Sequence, residues 1–178
     1  MRAIVTQPIS ALILRVPEAE PLVGALRLRY DPTAALGVPA HITILVPFVP
    51  PERVTAKVLR TVEQAIADIH AFEFTLSAVC RWPETVYLTP DPAEPFAALT
   101  RSIVRHFPQF PPYGGRHAGI IPHLTVADGD ARVAQTAEAK LRTRIRVARP
   151  VRGFCSELEL IENSSGRWKP MHVIRLPS

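Results

Sequence analysis

The feature that most constrains this chain is a pattern written twice. Pro39-Ala40-His41-Ile42-Thr43-Ile44-Leu45 and Pro122-His123-Leu124-Thr125-Val126-Ala127 each set a His and a Thr two residues apart inside an apolar, β-branched run. Such runs favour strands, and in a strand residues i and i+2 share a face. Each segment therefore projects an imidazole and a hydroxyl together, while Ile42 and Leu124 point the other way into a core. A second pair of matching signals surrounds the first: Ala19-Glu20-Pro21-Leu22 and Ala93-Glu94-Pro95-Phe96 each open a helical pattern, with proline in the first turn where its missing N–H costs nothing. The two histidines lie farther apart than the two helix starts, and the excess falls into the Pro/Gly-rich segment Pro108 to Pro122.

The rest of the chain fits that duplication. Ser10 to Val16 reads as a strand, followed by a helix carrying Leu22, Leu26 and Tyr30. Val54, Val58, Leu59, Val62, Ile66 and Ile69 form the clearest helical stripe, with charged residues largely off it. Phe72 to Cys80 and the segment around Val86 and Leu88 read as two strands joined by the Trp82-Pro83-Glu84 turn. A helix with Phe96, Leu99, Ile103 and Phe107 follows, then the His123 strand, a helix marked by Val133, Ala137 and Leu141, and strands over Val147 to Leu160 and Trp168 to Leu176. The order strand, helix, strand, helix, strand, strand is thus written twice. The expectation is an α+β protein, residues 1–178 forming a single bilobal, internally duplicated unit with antiparallel-type sheets flanked by helices. Strands can cross between its lobes. A pseudo-twofold axis would set His41 and His123 on opposite walls of one central cleft.

Composition bounds the classes that remain. With 178 residues, 47% hydrophobic and 21% charged, the chain can bury a core and is not disordered in the main. The run Ile9 to Leu14 is too short to span a bilayer and lacks the marks of a signal peptide, so the expected setting is the cytoplasm, as a monomer with no membrane partner. Cys80 and Cys155 have no Cys-x-x-Cys or Cys/His spacing around them and read as reduced thiols. His41, His117 and His123 lack the closely spaced second ligand of a zinc motif, so no metal and no cofactor is expected. A net charge of +5, carried mostly by arginine, suits an anionic partner.

Two facing histidines can divide proton transfer. With an ordinary pKa of about 6.5, one removes a proton from an attacking hydroxyl or water while the other gives one to the departing oxygen. Thr43 and Thr125 are placed to hydrogen-bond non-bridging phosphoryl oxygens where charge develops. The residues resemble the two-histidine phosphoesterase superfamily, which includes 2'-5' RNA ligase-like proteins and cyclic nucleotide phosphodiesterases. Its hallmark, His-x-(Thr/Ser)-apolar once per lobe, is met by His41-Ile42-Thr43-Ile44 and His123-Leu124-Thr125-Val126. The resemblance implies a 2H phosphoesterase fold and metal-independent opening of a 2',3'-cyclic phosphate on a nucleotide or an RNA terminus, or the reverse joining to a 2'-5' linkage. It also implies His41 and His123 as the acid-base pair and Thr43 and Thr125 as phosphate holders, without saying which histidine is acid.

Secondary candidates are Phe48, Tyr113 and Trp168 for stacking on a base and Arg116 for a further phosphate contact. Arg142, Arg144, Arg146, Arg149 and Arg152 form a basic run, either a solvated edge or a track for RNA backbone. The alternative to an enzyme is a non-catalytic module that holds a nucleotide or RNA end in the same cleft. A duplicated scaffold for protein interaction is the third class.

Overall fold

A computed structural model describes residues 7–116 and 119–178. Eight strands and five α-helices follow one another: β1 (Ser10–Arg15), α1 (Glu20–Tyr30), the single turn α2 (Pro32–Ala35), β2 (His41–Leu45), α3 (Ala56–Ile66), β3 (Phe72–Arg81), β4 (Thr85–Asp91), α4 (Glu94–His106), β5 (Leu124–Asp128), α5 (Ala131–Val147), β6 (Val151–Cys155), β7 (Glu157–Glu162) and β8 (Lys169–Arg175). The helix expected around Val54 to Ile69 is shorter than its stripe, because Pro50-Pro51 opens a separate 3-10 turn and Thr55 caps α3 by accepting from the Val58 amide. Val147 ends α5 and is exposed, so the late strands begin only at Val151.

The strands form two four-stranded antiparallel sheets, ordered β2-β1-β7-β8 and β5-β4-β3-β6. The fold is α+β, as its sequence pattern implies, but sheets and sequence halves do not coincide. The middle of the chain builds one whole sheet, while the other joins β1 and β2 to the last two strands. Cys80 and Cys155, which the repeat assigns to separate lobes, lie on neighbouring strands of one sheet, with Phe72 opposite Cys155 in the ladder. Helices are exchanged as well: α1, which follows β1, packs on β5 of the other sheet beside α5, and α4, which follows β4, packs on β2 beside α3. Each sheet therefore depends on a helix from the other motif for its cover.

Period-two alternation explains how one strand serves two surfaces. In β1, Leu12 and Leu14 enter the main core with Ile42, Ile44, Phe48 and Leu160, whereas Ala11 and Ile13 form a separate apolar layer with Val38 and Ile161. In the second sheet Gly153 permits close packing: a Cβ there would sit 2.3 Å from the Phe74 ring, which is the cross-strand neighbour. No helix among the described residues is long and apolar enough to cross a membrane.

Candidate active site

Strands β2 and β5 are edge strands of their respective sheets and lie against each other, which brings the two His-x-Thr segments together. His41, Thr43, His123 and Thr125 all line one cleft of about 810 Å³. Ile42 and Leu124, the residues between them, are fully buried on the opposite side. The register continues the equivalence, for Thr43 has Ile13 as its partner on β1 and Thr125 has Tyr87 on β4.

Both imidazoles are oriented by the same local bond. His41 Nδ1–H donates to the Pro39 carbonyl at 2.8 Å, and His123 Nδ1–H donates to the Ile121 carbonyl at 2.6 Å. A proton fixed on Nδ1 makes Nε2 the nitrogen that accepts or delivers protons in the cleft. In the neutral ring, His41 Nε2 accepts from the Thr43 hydroxyl at 3.1 Å. Burial pushes the His41 pKa down from 6.5 to about 4; the bond to Pro39 opposes this, the Arg27 guanidinium adds to it, Asp31 opposes it and His123 adds to it.

His123 sits instead in an aromatic setting. Trp82 and Tyr87 meet its ring edge-on at centroid distances of 4.9 and 5.3 Å, and Tyr113 stacks at 6.4 Å. Tyr113 reaches this place through a left-handed backbone at φ 52°, unusual for a residue with a side chain and held by its N–H donating to the Val46 carbonyl. Its phenol hydrogen-bonds the Thr43 hydroxyl, so one residue touches both motifs. Burial pushes that phenol above its ordinary pKa, with the Thr43 bond pulling partly back, so it stays a protonated donor at neutral pH.

Arg27 and Asp31 join the halves from below, and neither was singled out by the sequence. Arg27 is 2% exposed. Its Nε–H donates to the Thr125 carbonyl at 3.2 Å, one Nη to the Val38 carbonyl at 3.1 Å and the other to the Asp31 carboxylate at 2.8 Å. Asp31 accepts in turn from the Thr33 amide and hydroxyl. The readable signal was an arginine one turn beyond Val23 on the buried face of α1, with an aspartate one turn further. Glu20 was also missed as a site residue: its carboxylate accepts from the Ala40 amide at 2.7 Å, directly before His41.

The secondary candidates divide. Tyr113 and Trp168 line the cleft, as does Trp82, which the sequence showed only as part of a turn. Phe48 does not: it is 2% exposed and packs edge-on against Phe107 and Phe110, because the apolar segment after β2 turns into the core, so no base can reach its face. Arg116 is exposed and does not line the cleft. His117 lies outside the described residues. The basic run also stays away, since β6 is the edge of its sheet opposite β5; Arg142 pairs with Glu138 and Arg144 donates to the Leu22 carbonyl.

Comparison with known proteins places this geometry. The family model described as the 2'-5' RNA ligase superfamily matches residues 16–167. E. coli LigT complexed with 3'-AMP superimposes with a TM-score of 0.63 at 16% identity, over 96% of this chain and 98% of that one. LigT complexed with NADP+ gives 0.58 at 17% identity over 97% and 99%, and a crystal structure described as a phosphoesterase gives 0.59 at 15% identity over 97% and 99%. No curated protein matches the chain by sequence.

Proposed function

The chain belongs to the 2'-5' RNA ligase superfamily, and we propose that it opens 2',3'-cyclic phosphates of nucleotides or RNA ends by proton transfer between His41 and His123, without a metal. The observation that carries this reading is the matched tethering of both rings: each Nδ1–H is held by the carbonyl two residues upstream, and both rings line the same cleft. The structures of E. coli LigT complexed with 3'-AMP, NADP+ and ATP support a nucleotide as the occupant.

The two environments assign the roles. His41, with its pKa lowered to about 4, is neutral at physiological pH and is the base that takes the proton of the attacking water at Nε2. An anionic phosphate beside it raises its proton affinity at the moment the proton must move. His123, on the opposite wall of the cleft, is then the acid whose Nε2–H delivers the proton to the departing ribose oxygen. Thr125 and the Tyr113 phenol supply hydroxyl donors for the non-bridging oxygens, joined by Thr43 when its hydroxyl turns from His41 Nε2 to the phosphate and frees that nitrogen for the water proton. Water adds to phosphorus, one ribosyl P–O bond breaks, and the product is a ribose monophosphate with a free neighbouring hydroxyl.

Incubation with a panel of 2',3'-cyclic nucleotides, with and without a chelator, tests this reading. The expected result is a single 2'- or 3'-monophosphate formed at the same rate in both conditions. Binding without turnover would select the non-catalytic module instead, and a rate abolished by the chelator would overturn the metal-free reaction.

A further inference from the structure

The cleft that holds the two histidines has a charge opposite in tendency to the protein around it. The chain carries a net charge of +5, yet among the described residues that line the cleft there is no lysine or arginine and there are three carboxylates, Asp31, Glu84 and Asp128. Asp31 is matched by the buried Arg27 beneath it. Glu84 and Asp128 are exposed at the end of the β4–β5 pair, where Asp128 accepts from the Thr85 hydroxyl at 2.8 Å. On the other wall, Ile13, Val38 and Ile161 form an apolar layer with Trp168 packed against it.

Resting on the phosphoesterase reading, we propose that the cleft selects substrates with one negative charge: a cyclic phosphodiester on an otherwise uncharged nucleoside, in preference to 5'-phosphorylated nucleotides or the 3' end of an RNA strand. The donors facing the phosphate are hydroxyls of Thr43, Thr125 and Tyr113 and the proton of one imidazolium. That set balances a single diester charge. A second phosphate in the same cleft meets no cation among the described lining residues and is repelled by Glu84 and Asp128, whose exposed charges act through water and are screened as salt rises. The uncharged part of the nucleoside finds apolar surface on the Ile13 and Trp168 side, where burial is favourable without charge.

Calorimetry at low salt provides the test, using a 2'-deoxynucleoside 3'-methylphosphate, which carries one diester charge and has no 2'-hydroxyl to react. It is compared with the same molecule bearing a 5'-phosphate and with a trinucleotide of the same 3' end. Each added phosphate-bearing group is expected to weaken binding at least about tenfold, and the penalty to shrink severalfold in about 0.5 M salt and in the double variant Glu84→Gln/Asp128→Asn. Equal or tighter binding of the 5'-phosphorylated ligand or the trinucleotide overturns the proposal. So does a penalty indifferent to both neutralisation and salt, or no binding of any ligand. Because these ligands cannot turn over, charge selection is read independently of catalysis: failure of every 2',3'-cyclic phosphate to react, with the selection intact, sinks the enzymatic reading alone.

Discussion

The two His-x-Thr segments are near copies in sequence and unlike in surroundings. His41 is desolvated, its Nε2 accepts from Thr43, and the strand before it is fastened by Glu20 bonding to the Ala40 amide. His123 sits among Trp82, Tyr87 and Tyr113, and the residue before it, Pro122, has no amide to fasten. The equivalent glutamate, Glu94, is accordingly exposed and pairs with Arg101 on its own helix. The two segments are near-identical; their neighbours desolvate one imidazole and surround the other with aromatic rings, and the proposed division into base and acid rests on that difference. The same fold that makes the pair thus removes its symmetry.

The largest expected effect is loss of either reagent. His41→Ala and His123→Ala should each lower kcat/KM on a 2',3'-cyclic nucleotide by about 10²- to 10⁴-fold with unchanged circular dichroism; full activity in either would dissolve the division of roles. Next comes the connection between the halves. Arg27→Met leaves Asp31 buried without its cation, and denaturant titration should show a loss of about 3–5 kcal/mol. Adding Asp31→Leu should recover a large part of that loss, because the uncompensated charge is then gone; no recovery would mean that the bonds to Thr125 and Val38, and not the ion pair, hold the halves together.

The pH dependence sharpens the contrast between the rings. His41 is held neutral in the folded protein down to about pH 4, whereas the unfolded chain takes up this proton near 6.5. Between those values the unfolded state binds more protons, so stability falls as pH is lowered, by at most about 1.4 kcal/mol per unit from this group. Stability curves at several pH values should show this slope, and His41→Gln should remove it. The acid limb of the kcat/KM profile should likewise lie nearer pH 4 than 6.5, since the base works only when neutral; a limb at 6.5 would take the base role away from His41.

The smallest effect separates the two glutamates. Glu20→Ala strands the buried Ala40 amide and should cost about 1–3 kcal/mol with reduced turnover, while Glu94→Ala on the exposed face should change stability by less than about 0.5 kcal/mol. Equal effects would show that the asymmetry around His41 is not set by this bond.

Much of this site was legible in the chain, and what was not follows a physical rule. Alternation placed Ile42 and Leu124 inward and the His and Thr residues outward, because side-chain direction in a strand is a local property. The Ala-Glu-Pro helix starts were readable for the same reason. Phe48 was misread as a stacking surface because an aromatic beside a motif looks the same whether it faces ligand or core; only its contacts with Phe107 and Phe110 decide. Arg27 escaped because its three acceptors come from separate elements, one of them 98 residues away. The pairing of β1 with β7 and of β3 with β6 is equally nonlocal, so the division of strands between sheets could not be read from their order.

The sequence by itself determined the reagents, their faces and their duplication, all consequences of spacing within a few residues. Tertiary structure decided that the edge strands β2 and β5 meet, that one histidine is desolvated while the other is ringed by aromatics, and that the cleft between them is lined without a cation among the described residues. Proton affinity and charge selection depend on what surrounds a group in space, and those neighbours are supplied by distant parts of the chain.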